Sequence, residues 1–339
     1  MKVLVTGGAG YLGSCLVPLL LEGGHEVTVI DRFFFGPEPL AACSGNPRLT
    51  LIRDDLRWCD GRLFEGQEAV VDAAALSNDP AGAIDPWRTR EINYLGRVRT
   101  ARLAREAGAR RYLLTSSCSI YGFRDTILDE ETTPDPLTEY ARANWLAEQD
   151  TLPLASDTFC PTAVRFATLY GLAPRMRFDL AINGMALGGV RDRRIPVMKD
   201  GTQWRPFLHV RDAARAIVEL LTEAPSRIRG RIYNIGSDEQ NFQIRPLAEI
   251  VASHLSLPPS VEWYGDPDLR SYRVSFARAR DELGFVPQLT PGAAAREIER
   301  AVRDGSVDTG PRTRTVEWYR HLLTDPVASE PVRLRGVVL

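Results

Sequence analysis

Lysine is almost missing from this chain. Lys2 and Lys199 are its two lysines, and arginine supplies nearly all the rest of its 42 Lys and Arg residues. Histidine is scarce too, confined to His25, His209, His254 and His321. Chemistry that needs an ammonium or an imidazole therefore has few residues to draw on. The five cysteines, Cys15, Cys43, Cys59, Cys118 and Cys160, make no CxxC pair and no metal-ligand spacing, so no metal site is expected. An odd thiol count without an export signal reads as reduced thiols in a cytoplasm. No apolar run reaches the ~18 residues of a membrane span. A net charge of -2 gives no global attraction to nucleic acid or membrane. With 339 residues, 44% of them hydrophobic, the chain suits one large or two modest globular domains.

What is present begins at once. Lys2 to Thr6 reads as a short buried strand, and the run GGAGYLG follows at Gly7–Gly13. Cys15, Leu16, Leu19 and Leu20 then show helical spacing up to Gly23 and Gly24. A second strand pattern runs from His25 to Ile30 and ends at Asp31. This is one strand–helix–strand unit in about thirty residues. Its glycines allow the tight turn, let a pyrophosphate approach the backbone, and let helix and strand pack closely. The helix N-terminus offers free N–H groups and a positive dipole end to phosphate. Asp31 stands where a carboxylate accepts bonds from an adenosine ribose and repels a 2′-phosphate, which points to NAD. Arg32, directly after it, is a residue that could meet a 2′-phosphate, so NADP stays open.

Strand-like runs recur at 49–52, 69–72, 112–115 and 162–166, separated by helical patterns such as 87–107 and 138–150. This alternation predicts an α/β fold with a doubly wound parallel sheet. The segments after those strands are Asp54, Asp55 and Leu56; Ala73, Ala74, Ala75 and Ser77; Ser116 to Ser119; and Ala167 to Tyr170. Together with Thr6–Gly13, Asn93 before Gly96, Tyr121-Gly122, Tyr140, Arg165, Tyr170-Gly171 and the run from Arg205 to Asp212, they form a specific set. The chain resembles the extended short-chain dehydrogenases/reductases, in the sugar-nucleotide epimerase and dehydratase branch, over roughly residues 1–300.

The resemblance implies roles by position. Gly7, Gly10, Tyr11, Leu12 and Gly13 would hold the cofactor, with Asp54, Asp55 and Leu56 beside the adenine. Ala73 to Ala75 would line its pyrophosphate and ribose, with Asn93 and Ser116 nearby, and Ala167 and Thr168 would meet the nicotinamide. Ser117 matches the catalytic Ser/Thr that hydrogen-bonds the reacting sugar oxygen, and Tyr140 matches the acid/base. Ser77, Asn183, Arg205 and either Arg270 or Arg273 would bind the sugar and its diphosphate. His209 reads as a structural hydrogen-bonder. A homodimer through the helices near 87–107 and 138–150 is also implied, with Trp87, Leu103 and Trp145 as apolar contacts.

The departure from the family is at residue 144. The family pattern is Tyr-x-x-x-Lys, and this chain has Tyr140 followed four residues later by Asn144. Residues i and i+4 share a helix face, so both point into one site. The family's Lys lowers the Tyr pKa and bonds the nicotinamide ribose, and Asn144 can give the bond but not the charge. A phenol titrates near 10 unaided, so almost none is phenolate at neutral pH. Arg142 lies about 200° around the helix from Tyr140 and should face away. Three readings stay open: another cation, such as an Arg from elsewhere in the chain, fills the role; Ser117, Cys118 or the substrate carries the chemistry; or the protein binds its ligands and turns over poorly.

Cys118 and Ser119 occupy the two positions where the family's dehydratases carry Asp and Glu, so 4,6-dehydration is not expected. Chemistry at a single carbinol remains: 4-epimerisation, reduction of a keto-sugar, or oxidation of a hydroxyl. The alternatives are a reductase or dehydrogenase for another small alcohol or ketone in secondary metabolism, or a cofactor-bound sensor or scaffold. The expected organisation is a nucleotide-binding domain at 1–172, rejoined by 208–236. A substrate lobe at 173–207 and 237–320 and a tail at 321–339, loosely packed or wrapped on the surface, complete it.

Overall fold

The computed structural model describes residues 1–198, 200–266 and 271–339. Lys199 and Arg270 lie outside the described residues. The main sheet has seven parallel strands: β1 (Lys2–Thr6), β2 (Glu26–Asp31), β3 (Leu49–Arg53), β4 (Ala69–Asp72), β5 (Arg111–Ser117), β6 (Cys160–Phe166) and β7 (Ile232–Ile235). Their spatial order is β3-β2-β1-β4-β5-β6-β7. The order reverses between β1 and β4, which is where such sheets open a crevice at their carboxyl ends. Val3 pairs with Val27 on one side and Ala69 on the other, so β1 lies at the centre. Every residue of β4 and β6 is buried, as expected of strands covered on both faces.

The helices follow from simple signals. α1 (Gly13–Glu22) opens directly from the glycine run and buries Leu16, Val17, Leu20 and Leu21. Each such aliphatic side chain stabilises the fold by roughly 1.5–3 kcal/mol. The long helical pattern at 87–107 is not one regular helix. It is an α-helical piece Pro86–Arg90, a π-helical turn Glu91–Gly96, and α2 (Arg97–Glu106). α3 (Glu139–Thr151) starts at Thr138, whose hydroxyl accepts the Ala141 N–H. Trp87 is 62% exposed, whereas Leu103 and Trp145 are half-buried against the chain's own core.

A smaller set of elements covers the carboxyl ends of the strands. It holds α4 (Ala181–Arg191), a three-stranded sheet of Thr168–Tyr170, Trp204–His209 and Asn241–Gln243, and a two-stranded sheet of Arg194–Met198 and Ser260–Tyr264. α5 (Val210–Thr222) returns the chain to β7.

The tail is not loosely packed. α6 (Thr315–Thr324) and the residues after it form an apolar cluster in which Tyr319, Leu322, Val332 and Leu339 pack with Leu56, Leu76 and Ile92. Trp318 Nε1 donates to the Phe34 carbonyl at 2.6 Å, and Arg53 donates to the Arg333 carbonyl at 2.7 Å. The last residues are thus fastened beside the ends of β2 and β3.

Candidate active site

One cavity of about 630 Å³ runs from the glycine run, past Tyr140, to the Trp204–His209 strand. At its first end the backbone makes the site. Gly7 has φ +70°, and a Cβ there would fall 2.8 Å from the Ala74 Cα. A Cβ on Gly13 would fall 2.5 Å from the Gly7 carbonyl oxygen. A Cβ on Gly10 would meet only that same oxygen, at 3.1 Å, and otherwise points into open cavity. This is a cradle that a side chain would fill. Thr6 holds its far wall, its hydroxyl oxygen accepting from the N–H groups of Ala73 and Ala74 at 3.1 Å each. The Asp31 carboxylate accepts from Ala9 N at 2.9 Å and Phe33 N at 2.7 Å, and burial pushes its pKa up.

Arg175 lies over this cradle, its own N–H reaching the Ser14 hydroxyl on α1 at 3.3 Å. Its guanidinium stacks 3.6 Å from the Phe35 ring centroid and donates to Thr315, while Nε has no partner among the described residues. Burial, with Arg177 nearby, pulls its pKa down to about 9. A buried cation with an unmatched donor beside an N–H-lined cradle fits an anionic diphosphate. Tyr11, Leu12, Asp54, Leu56, Ala75, Ser116, Ala167 and Thr168 also line the cavity, as expected.

Several expected contacts turn out otherwise. Arg32 does not point to a 2′-phosphate. It donates to Asp55 at 2.6 Å and to the carbonyls of Val332, Val337 and Val338 at 2.7, 3.1 and 2.9 Å, so it ties the tail down. Asp55 accepts two bonds on each oxygen, from Arg57 N and Nε and from Arg32 and Arg57 Nη2, and has no acceptor left for an adenine. Asn93 is fully buried and grips the Leu76 N–H and carbonyl, shaping the wall from behind. Asn183 is equally buried, bonding Gly171 N, the Tyr11 hydroxyl and the Arg177 carbonyl, so it sets the loop instead of binding sugar. The Cys118 thiol is turned away from the cavity toward the Arg165 carbonyl, and burial raises its pKa, which removes it as an acid/base. Arg273 lies on the outer side, stacked on Trp204 and donating to the Asp125 carbonyl. His209, by contrast, is the structural hydrogen-bonder expected: its Nδ1 accepts the Arg211 N–H at 3.2 Å at the start of α5, and it is buried against Gly171, where a Cβ would fall 2.1 Å from its Nε2.

At the middle of the cavity stand Ser117, Tyr140 and Asn144. Burial raises the Tyr140 pKa, and the Asp79 carboxylate raises it further; a Ser117 hydrogen bond, Arg97 and Arg177 act the other way. The loop bearing Ser77 and Asp79 is strained, because Asn78 holds φ 84° and ψ 159°. Such a backbone costs on the order of 1–3 kcal/mol. Two bonds hold it: Asn78 accepts from Ala81 N at 2.9 Å and donates to Asp179 at 3.2 Å. Ser77 is reached by Arg177 at 2.9 Å, and Arg177 is paired with Asp179 at 2.6 Å. Arg205 lines the far end, stacked 5.1 Å from the Tyr272 centroid.

The residue that sequence reasoning missed is Arg97. It is 1% exposed, reaches the cavity wall, and donates Nη1 to Asn144 Oδ1 at 2.9 Å. Arg175, Arg177 and Asp79 were missed as well. The arginines had a faint signal, since positions 175 and 177 share one face of an extended segment. Arg142 is exposed and paired with Glu139, and Lys2 pairs with Glu26 at the surface, so neither serves the site.

A family model for the NAD dependent epimerase/dehydratase family matches residues 3–236. A UDP-glucose 4-epimerase from Mycolicibacterium smegmatis is 30% identical, across 89% of this chain and 97% of that one. UDP-glucuronic acid decarboxylase 1 of Arabidopsis thaliana is 28% identical, across 86% of this chain and 67% of that one. Among solved structures, MoeE5 in complex with UDP-glucuronic acid and NAD superimposes with a TM-score of 0.80 at 27% identity, covering 90% of this chain and 100% of that one.

The fold and its glycine cradle are those of an extended short-chain dehydrogenase/reductase with a Rossmann-like sheet. The chain belongs to the NAD dependent epimerase/dehydratase family. It is an enzyme of that class, and its cofactor is NAD.

Proposed function

We propose that the protein interconverts a nucleotide-activated hexose and its 4-epimer. NAD, bound in the cradle, supplies the hydride acceptor and donor. Ser117 hydrogen-bonds the oxygen of the reacting carbinol. Tyr140 takes that proton as hydride leaves and returns it when hydride comes back. Arg205, and Arg177 with Ser77, bind the diphosphate and the sugar. The observation that carries this reading is the inventory at the reacting position. Ser117 and Tyr140 face the cavity together, Cys118 is turned away, and no carboxylate stands at 118 or 119. That equipment moves one proton at one carbinol and lacks the acid–base pair at 118 and 119 with which the family's dehydratases eliminate water. The relative named as a UDP-glucose 4-epimerase supports the same chemistry.

Residues 1–172 with 208–236 act as the nucleotide domain, and 173–207 with 237–320 as the sugar lobe. The working unit is a homodimer through the helical face that carries the exposed Trp87 and Leu95; sedimentation at micromolar concentration tests it, and a monomer refutes it.

The catalytic reading is tested by incubating the holoenzyme with UDP-glucose and with UDP-glucuronic acid and following the sugar by NMR. A 4-epimer should form with no net build-up of NADH, and Tyr140→Phe should slow it at least ~100-fold. Net NADH, loss of carbon dioxide or loss of water as the main product would overturn it.

A further inference from the structure

We propose that Arg97 supplies, through the Asn144 carboxamide, the positive charge that the family otherwise places on a lysine at position 144. Arg97 is a positioning residue here, and the proposal rests on the reading of Tyr140 as the acid/base. Its geometry is that of a relay. Arg97 is the first residue of α2, and Asn144 lies 47 positions further on in α3. Both are 1% exposed and both reach the cavity wall. Nη1 of Arg97 donates to Asn144 Oδ1 at 2.9 Å, and Asn144 Nδ2 donates to the Tyr140 carbonyl at 2.9 Å.

This pair fixes the amide. A guanidinium has only donors and a backbone carbonyl only accepts, so Oδ1 must face Arg97 and Nδ2 must face Tyr140. One Nδ2 hydrogen remains for the cavity. A cation bonded to the amide oxygen draws electrons from the nitrogen, and linked hydrogen bonds strengthen one another by roughly 10–30% each. Asn144 thus presents a polarised N–H where the family presents an ammonium.

The counter-charge sits on the Nε edge of the guanidinium, away from Nη1. Arg97 Nε meets Asp72 Oδ2 at 3.3 Å, longer than its 2.9 Å bond to Asn144. That carboxylate also takes the hydroxyls of Thr6 and Tyr112, so three donors share it. Nη2 is anchored on the Asp72 and Thr115 carbonyls at 2.8 and 2.5 Å, which leaves the Nη1 corner facing the site. The charged groups that face the phenol are Arg97 from α2, Asp79 from the loop after β4, and Arg177 from the segment before α4. Arg177 is bonded to Ser77 and Asp179, whereas Arg97 is bonded to Asn144, so Arg97 is the cation aligned with Tyr140 through position 144.

The test is a pH titration of holoprotein carrying carbon-labelled tyrosine, read by NMR, with Tyr140→Phe assigning the signal. Arg97→Met should raise the Tyr140 midpoint by about one unit or more and lower turnover at neutral pH ~10-fold or more. Asn144→Leu, which keeps Arg97 and its ion pair, should raise it likewise and serves if Arg97→Met does not fold. Adding Asn144→Lys to Arg97→Met should bring the midpoint back down. Curves for Arg97→Met and Asn144→Leu that superimpose on wild type overturn the proposal, as does a double variant no lower than Arg97→Met alone. The titration needs no substrate. A protein that fails to epimerise any nucleotide sugar therefore refutes the catalytic reading and leaves this one readable.

Discussion

The two ends of the cavity are built from different materials. At the cradle the wall is main chain, with Gly7 and Gly13 closed against neighbouring backbone and Gly10 bare toward the cavity, at the switch point between β1 and β4. Around Tyr140 the work falls to side chains that converge from α2, α3 and the loop after β4. A backbone site has almost no freedom to vary, because any side chain fills it. A side-chain site can trade parts. On the proposal made above, the family's lysine is replaced by an amide at 144 and a guanidinium on a neighbouring helix.

That contrast can be broken at its stiff end first. Gly10→Val should abolish NAD binding, a loss of at least ~100-fold, because a branched side chain takes the pyrophosphate's place. Calorimetric titration checks it, and near-native affinity would show that the cradle is not where the cofactor lies. Next, deleting residues 330–339 removes the three carbonyls that Arg32 grips and leaves that cation to Asp55 alone. The NAD dissociation rate should rise about 10-fold, the equivalent of about one hydrogen bond to a charged group at roughly 1.5 kcal/mol. An unchanged rate would mean that the tail seals nothing.

At the adaptable end the expected change is smaller and of the opposite sign. Burial and then the Asp79 carboxylate hold the Tyr140 pKa above the ordinary phenol value. The phenolate is the form that takes the proton, so wild-type turnover should climb as pH rises toward that raised pKa. Asp79→Asn keeps an acceptor for the Thr138 hydroxyl, which donates to Asp79 at 2.5 Å, and removes the negative charge. The Tyr140 pKa then falls, more phenolate is present at neutral pH, and the rate there should rise a few-fold. A pH–rate profile whose alkaline rise stays in place would count against Tyr140 as the titrating group. Last, Asn144→Lys alone sets a second cation against Arg97 and should slow neutral turnover modestly; a faster enzyme would show that position 144 still wants its ammonium.

The same contrast explains what could be read without coordinates. The strand–helix–strand start was legible because turn, phosphate approach and close packing each demand glycine, and the strands showed as apolar runs between turns. That Ser117, Tyr140 and Asn144 line the cavity was legible from the strand end and from the i, i+4 spacing, which gives the last two a shared direction. Arg97 was not. It sits among Arg90, Arg99, Arg102 and Arg105, and spacing alone does not say which guanidinium turns inward past a π-helical turn. Asn93, Asn183 and Cys118 were misplaced for a related reason. Chain position put them near the cavity, but each side chain is turned to a backbone group behind its wall. Arg32 was misread because the tail that consumes it comes 300 residues later, and Asp55 because Arg57, two residues on, takes most of its acceptors.

That separation has a consequence for how the molecule comes together. Contacts between distant parts of a chain form slowly, because loop-closure entropy must be met before they return any stabilisation. Residue 32 grips residues 332, 337 and 338, so its clamp is among the contacts of highest sequence separation in the fold. The nucleotide end, although its cradle is local and quick to form, is finished only when the two ends of the chain meet. The clamp is correspondingly expected to open without global unfolding: amide exchange should show the segment after residue 330 protected by far less than β1 and β4, and the cofactor should leave faster when that segment is released.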